Sequence, residues 1–221
     1  LAYEAGRGDV LAITGTNGKT TTTALLGEIM ENYCRKVFVV GNIGNPYTTA
    51  ASQMDDDTVT VAEMSSFQLE TIIDFKPKVS AILNFTPDHL NRHHTMEAYV
   101  NAKKNIARNQ TEEDYCILNY EDELTREFGE NIRAQVLYFS SRRKLEQGIC
   151  LEDGNIVYRR DKEVLICNVE ELKLLGTHNY ENVMAAAAMA LVYGVPPQIV
   201  RESVKAFQGV EHRIEFVTEK N

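Results

Sequence analysis

Residues 9–21 read DVLAITGTNGKTT, and the way this stretch divides decides the fold. Its first half, Asp9–Thr14, is a run of apolar and β-branched residues of strand length. From Lys19 to residue 33 the apolar residues Ala24, Leu25, Ile29 and Met30 fall at helical spacing. Between the two lie Gly15, Thr16, Asn17 and Gly18. A strand that turns through glycines into a helix aims consecutive backbone N–H groups at one point, and the helix N-terminus adds a partial positive charge there. Such a turn suits phosphate, with Lys19 neutralising the outer phosphate charge, the Thr20 hydroxyl ligating Mg²⁺ and Thr21 continuing the row. The strict GxxxxGK[ST] spacing is not met, because Ile13 stands at its first glycine position and Gly15 opens a shorter loop. An ordinary strand-to-helix turn uses one glycine; two glycines, a lysine and a run of threonines favour an anion.

Outward from this stretch, short β-rich runs alternate with helical segments. Residues 36–40 (KVFVV), 58–64 (TVTVAEM), 78–84 (KVSAILN), 114–119 (DYCILN) and 136–140 (VLYFS) read as strands. Residues 47–54, 67–74 and 96–109 read as helices, the second stopped by Pro77. Near-continuous apolar strands separated by helices predict an α/β architecture of P-loop NTPase type, with a mostly parallel sheet flanked by helices on both faces. The texture changes at residues 148–168 (GICLEDGNIVYRRDKEVLICN), where Asp153-Gly154 and Asp161-Lys162 punctuate alternating runs. This predicts a small antiparallel β meander, inserted or appended. Residues 180–193 then predict a helix closed by Gly194, and 197–207 a last one, before an extended end over 213–217.

With 221 residues, 43% of them hydrophobic, the chain is expected to form one large domain, or one with an appendage. No apolar run approaches the ~20 residues of a membrane span and no leader-type segment opens the sequence, so no membrane partner is expected. A net charge of −9 argues against a nucleic-acid surface while permitting a local cationic pocket. Cys34, Cys116, Cys150 and Cys167 are too widely spaced for a zinc or disulfide framework; free thiols in a reducing, cytoplasmic setting are expected. Leu1 is no initiator and the last apolar run has no packing partner in sequence, so the chain is expected to be a piece of something longer.

Four polar stations follow predicted strands at their carboxyl ends, where ligand crevices of open α/β sheets lie. They are the glycine loop, GNIG at 41–44, Glu63, and NFTPDH at 84–89. Glu63, one strand from the phosphate loop, suits a hard-oxygen Mg²⁺ ligand, or equally a strand-end residue in solvent. Among His89, His93 and His94 the strand-end position favours His89. HxxxH without the metalloprotease glutamate is a weak zinc signal, and His93 and His94 are expected at the surface or in a loop. In the helix from residue 96, Met96, Tyr99, Val100, Ile106 and Ala107 mark an apolar stripe; Lys103 falls on it, and Lys104 points about 100° away. An inward lysine needs an anionic partner or turns neutral as burial lowers its pKa. A neutral amine reacts with carbon dioxide to give a carbamate, a bidentate oxygen ligand; from the pattern alone, a snorkelling lysine with a wet head group is the better fit. Asn179 is an N-cap candidate for the alanine-rich helix, and Asn182 shares its face, so the two amides could together bond a nucleotide base. Arg213 either reaches a phosphate or forms a surface ion pair.

TGTNGKTT, GNIG, EMSSFQLE at 63–70, NFTPDHLNRH with a lysine fourteen residues beyond its first histidine, GTHNYEN at 176–182 and GVEHRIE at 209–215 occur in this order. Together they resemble the central domain of the Mur ligase family over essentially the whole chain. Within that family EMSSFQLE is similar to the branch that joins D-glutamate to UDP-N-acetylmuramoyl-L-alanine, and it differs from the folylpolyglutamate synthases. The resemblance implies an ATP-dependent amide ligase of peptidoglycan synthesis. A substrate carboxylate would attack the γ-phosphate, and the D-glutamate amine would displace phosphate from the acyl phosphate. By position, Gly15, Thr16, Asn17, Gly18, Lys19, Thr20 and Thr21 would cradle ATP, and Thr20 and Glu63 would hold a first Mg²⁺. His89 and a carbamylated Lys103 would hold a second. Lys19, Glu63, His89 and Lys103 would form the catalytic set; Asn42, Ser65 and Gln68 would face the muramoyl substrate; Asn179, Asn182 and Arg213 would contact the nucleotide. Divalent metals in such a site offset the repulsion between acidic partners pressed together. Two positions depart from the family pattern: Asn91 stands where aspartate is usual, and His94 where glycine is common. The resemblance also implies an amino-terminal UDP-binding domain and a carboxyl-terminal domain outside these residues, so this chain alone is expected to be inactive. A folylpolyglutamate synthase-like ligase and a nucleotide-binding module without catalysis are the alternatives.

Overall fold

A computed structural model describes residues 1–42 and 45–210. A one-turn helix α1 (Ala2–Ala5) precedes strand β1 (Asp9–Thr14), which turns into helix α2 (Lys19–Glu31). Then follow β2 (Val37–Gly41), α3 (Tyr47–Ala51), β3 (Val59–Glu63), α4 (Ser66–Glu70) and β4 (Val79–Ile82). The next segment holds α5 (Leu90–His93), α6 (Met96–Lys104), β5 (Tyr115–Asn119), α7 (Glu123–Gly129) and β6 (Gln135–Ser140). The last comprises β7 (Gly148–Glu152), β8 (Asn155–Arg159), β9 (Glu163–Asn168), α8 (Thr177–Tyr193) and α9 (Pro197–Ala206).

All nine strands form one sheet in the order β2-β3-β1-β4-β5-β6-β7-β8-β9. Every pairing from β2 to β7 is parallel. In β1 the side chains alternate between two cores. Leu11 and Ile13 face the cluster that holds Leu25 and Ile29 of α2, Met184 and Met189 of α8 and Val200 of α9. Val10 and Ala12 face the opposite cluster, with Ala50 of α3, Leu69 of α4 and Val100 of α6. Burial on both faces is why these strands read as unbroken apolar runs.

The predicted meander forms, with both of its turns, but it is no separate sheet. β7 pairs parallel with β6 through Phe139↔Ile149 and Ser140↔Cys150, and β8 and β9 continue antiparallel from it. Ile149, Ile156 and Ile166 thereby extend the α8-side core, an area no isolated hairpin could bury. Asp153 and Gly154 both take positive φ, 45° and 78°, as the tight hairpin turn requires. Residues 96–109 split into α6 and a 3₁₀ turn, Asn105–Ala107, where Asn105 Nδ2 donates to the Leu69 carbonyl (3.1 Å). Helices α1, α5 and α7 are not foreseen from sequence; with 4, 4 and 7 residues they are too short for a helical period to show. No helix among the described residues is long and apolar enough to cross a membrane.

One buried polar side chain bolts β4 to β5 at their amino ends. Gln110 Nε2 donates to the carbonyls of Pro77 and Tyr115 (2.9 Å each), and its Oε1 accepts from Ser80 Oγ (2.8 Å). Replacing it by leucine strands two carbonyls and a hydroxyl away from water. Gln110→Leu is therefore expected to lower the unfolding free energy by about 2–4 kcal/mol, seen as a lower urea midpoint at unchanged slope.

Candidate active site

The glycine loop after β1 is held in place by the loop after β4. Thr16 N–H donates to the Asn84 carbonyl (3.1 Å), and Asn17 N–H donates to Asn84 Oδ1 (2.9 Å), while Asn84 Nδ2 returns a bond to the Asn17 carbonyl (3.1 Å). Thr16 Oγ1 donates to the Thr86 carbonyl and accepts from Thr86 N–H. The Thr16 and Asn17 amides are thus engaged by the loop after β4. The amides of Gly18 to Thr21 remain: they begin α2 and have no intrahelical acceptor, since the first such bond runs from Thr22 N–H to the Gly18 carbonyl. Gly18 is the helix N-cap at φ 85°, and a Cβ there would lie 2.1 Å from Asn182 Oδ1. Only glycine meets both conditions.

Two lysines converge on one oxygen at the carboxyl end of β1. Lys19 Nζ donates to the carbonyls of Gly15 (3.0 Å) and Thr16 (2.9 Å). Lys103 Nζ donates to the same Gly15 carbonyl (2.8 Å) and lies 4.9 Å from the centre of the Tyr99 ring. With only 2% of its surface exposed, Lys103 is an inward lysine, and the snorkelling alternative fails. Burial, reinforced by the charge of Lys19 and opposed by Asp88 and Glu63, pushes its amine down to about 7.

Glu63 ends β3 beside this cluster and is 1% exposed, which rules out a strand-end residue in solvent. Its Oε1 accepts from Asn42 Nδ2 (3.0 Å), and its Oε2 is buried with no hydrogen-bond partner among the described residues. A buried carboxylate oxygen left unpaired is costly, and a cation is the partner it fits. The buried Thr20 hydroxyl adds the kind of oxygen donor Mg²⁺ takes. His89 is the N-cap of α5. It sits at φ 51° with Nε2 3.4 Å from Asp88 Oδ2 and its ring 5.1 Å from that of Phe67. Among the described residues no three His, Cys, Asp or Glu side chains are gathered closely enough to hold a metal ion.

A cavity of about 590 Å³ opens beside the loop, lined by Asn17, Gly18, Thr21, Asn84, Asn179 and Asn182 together with apolar Leu83, Phe139 and Leu174. Asn179 is not the N-cap of α8; Gly176 is, and Asn179 Nδ2 donates instead to the Leu175 carbonyl (2.8 Å). Asn179 Oδ1 accepts from Asn182 Nδ2 (3.5 Å), and Asn182 Oδ1 accepts from Thr22 Oγ1 (3.4 Å). The two amides thus share one face, as their spacing implied. Arg213 lies outside the described residues, as do Ile43 and Gly44 of GNIG.

Ser65 and Gln68 cap α4 reciprocally: Ser65 Oγ accepts from Gln68 N–H (3.3 Å), and Gln68 Oε1 accepts from Ser65 N–H (2.8 Å). His93, expected at the surface or in a loop, is buried, because its ring packs between Phe67 and Tyr99. His94 is exposed at φ 67°, ψ −39°, and Thr95 N–H donates to the His93 carbonyl (2.8 Å). That is a strained γ-turn, which explains why glycine suits this position. Thr95 Oγ1 then caps α6 by accepting from Ala98 N–H (3.1 Å), so the turn aims the helix that carries Lys103. Asn84, Tyr99 and His93 are the site residues that sequence reasoning left without a role.

With this geometry in place, comparison with known proteins gives the family. The model of the Mur ligase middle domain matches residues 13–190, and the chain belongs to that family. It is 61% identical over 221 residues to a UDP-N-acetylmuramoylalanine--D-glutamate ligase of Lachnoclostridium phytofermentans, covering 100% of this chain and 49% of the relative. A protein of the same name from Lachnospira eligens is 54% identical, with 100% and 49% covered. The chain therefore spans about half the length of these curated relatives. Among solved structures, MurF from Acinetobacter baumannii aligns with a TM-score of 0.74 at 21% identity over 99% of this chain and 50% of its own. A UDP-N-acetylmuramoyl-L-alanyl-D-glutamate--2,6-diaminopimelate ligase aligns at 0.75 and 22% identity, over 97% and 49%. At that identity the likeness is one of fold.

The contact between Gly18 and Asn182 is testable. Gly18→Ala is expected to cost about 1–3 kcal/mol of stability. Part of that cost should vanish in an Asn182→Ala background, as a non-additivity in a double-mutant cycle of urea midpoints.

Proposed function

We propose that this chain is the ATP-binding middle domain of a ligase that joins D-glutamate to UDP-N-acetylmuramoyl-L-alanine. The observation that carries this reading is the meeting of Lys19 and Lys103 at the Gly15 carbonyl, beside the unpaired oxygen of Glu63 and the cavity at Gly18. The names of the most similar curated relatives support the choice of substrates. The remaining half of such a protein would supply a UDP-binding domain before this one and a carboxyl-terminal domain after it. Among the described residues no helix is long and apolar enough to cross a membrane, and the four cysteines are free, which fits a cytoplasmic enzyme.

The α2 amides and Lys19 hold the triphosphate, and the cavity beside Gly18 takes the nucleoside against Asn179 and Asn182, with Arg213 as a further nucleotide contact. Asn42, Ser65 and Gln68 face the muramoyl substrate. Its carboxylate oxygen bonds to the γ-phosphorus as ADP leaves. The D-glutamate amine then attacks the acyl carbon, loses a proton and expels phosphate. Thr20 and Glu63 would hold one Mg²⁺, and His89 with a carbamylated Lys103 a second; these ions would offset charge between the carboxylate and the phosphates. Carbamate formation consumes a neutral amine and carbon dioxide and releases a proton. At about 7, against an ordinary 10.5, Lys103 has that neutral amine near neutral pH.

The full-length ligase carrying this chain is expected to release phosphate from ATP only with UDP-N-acetylmuramoyl-L-alanine and D-glutamate together; turnover on a folate substrate alone would overturn the assignment. The 221 residues by themselves should bind Mg·ATP weakly and form negligible amide. Lys103→Ala in the full-length enzyme is expected to lose about a hundredfold or more in kcat, partly restored by acetate or formate. In the wild type, ¹³C-carbamate at Lys103 should increase as pH rises through 7 and fall below it; its absence at pH 8 would count against the carbamate.

A further inference from the structure

One buried imidazole, on α5, touches both α4 and α6. His93 Nδ1 lies 3.0 Å from Glu70 Oε1, and Nε2 lies 2.9 Å from Ser66 Oγ. The Glu70 carboxylate only accepts, so the proton on that side sits on Nδ1, and in the neutral ring Nε2 accepts the Ser66 hydroxyl. One face stacks on Phe67 at 5.4 Å and 5°, and Phe67 also packs against His89. On another side His93 meets Tyr99 at 5.4 Å; the Tyr99 hydroxyl is 3.0 Å from Thr16 Oγ1 and its ring lies under Lys103 Nζ. Arg92 closes the arrangement by donating to Glu70 Oε2 (3.0 Å).

Serine, histidine and glutamate in this order resemble a nucleophile with its base and orienting acid. Ser66 is 2% exposed and the His93 side chain 1%, so no substrate atom reaches them. What the trio does instead is fix α5 against α4, and the His93 ring contact with Tyr99 carries that on to α6. We propose that His93 is a positioning residue for the ligation described above, holding the Ser65–Gln68 cap and His89 in register with the phosphate loop. The inference rests on that functional reading, because register matters only where the muramoyl substrate and the phosphates must meet. Misplacement of bound groups by about 1 Å costs up to about a hundredfold in rate.

The test uses the full-length ligase and follows KM for UDP-N-acetylmuramoyl-L-alanine, KM for ATP, and kcat per folded enzyme. His93→Phe keeps the ring contacts and removes both polar bonds. It is expected to raise KM for the muramoyl substrate by about tenfold or more while KM for ATP moves less than about threefold. Should His93→Phe fail to fold, Ser66→Ala and Glu70→Ala remove its partners singly and are expected to show the same split. Glu70→Gln keeps an acceptor for Nδ1–H and should stay near wild type. A wild-type ligase with normal activity and unchanged KM and kcat in all folded variants overturns the inference alone. A wild-type enzyme without D-glutamate ligation overturns the functional reading and the inference with it.

Discussion

A single carbonyl oxygen, that of Gly15, accepts from both Lys19 and Lys103, and the rest of the site is arranged around that sharing. Two amines brought to one acceptor repel each other, and burial together with the charge of Lys19 lowers the pKa of Lys103. The structure sustains the arrangement by supporting each lysine separately. Lys19 belongs to the first turn of α2 and curls back over its own loop. Lys103 arrives on α6, whose direction is set by the γ-turn at His94 and the Thr95 cap. Glu63 and Asp88 supply the nearby negative charge that keeps the cluster from being purely cationic.

The same logic explains the unusual density of backbone pairing around the phosphate loop. A loop that must hold two lysine head groups and also present amides to an anion has little freedom to relax. Asn84 and Thr86 tie its middle residues as an added strand would, using side-chain amide and hydroxyl where the sheet ladder has ended. The amides left open are therefore fewer than the glycine-rich segment suggests: they lie at the start of α2, while those of Thr16 and Asn17 bond to Asn84.

Much of this was legible in the chain itself. The bounds of β1, the parallel strands with helices on both faces and the inward face of Lys103 follow from periodicity, which reports burial directly. The joining of the meander to the main sheet was hidden, because a hairpin looks alike whether its edge is free or paired. His93 was misjudged for a related reason. Its burial comes from Phe67 on α4 and Tyr99 on α6, while its own helix α5, with 4 residues, is too short to show a period. Asn84 was visible as part of NFTPDH, yet only its register beside the glycine loop reveals that its amide imitates a backbone. The departure at His94 was visible as a residue type, and its meaning emerged only as a dihedral angle.

The fit of Asn182 against Gly18 carries a consequence for biosynthesis. The two ends of that contact are 164 residues apart in sequence, and α8 also covers the faces of β4 to β7. A ribosome adding about 5–20 residues per second delivers the second partner roughly ten to thirty seconds after the first. Until then the nascent chain has its glycine turn without Asn182 beside it, so the cavity next to Gly18 takes its final shape only once α8 has been made.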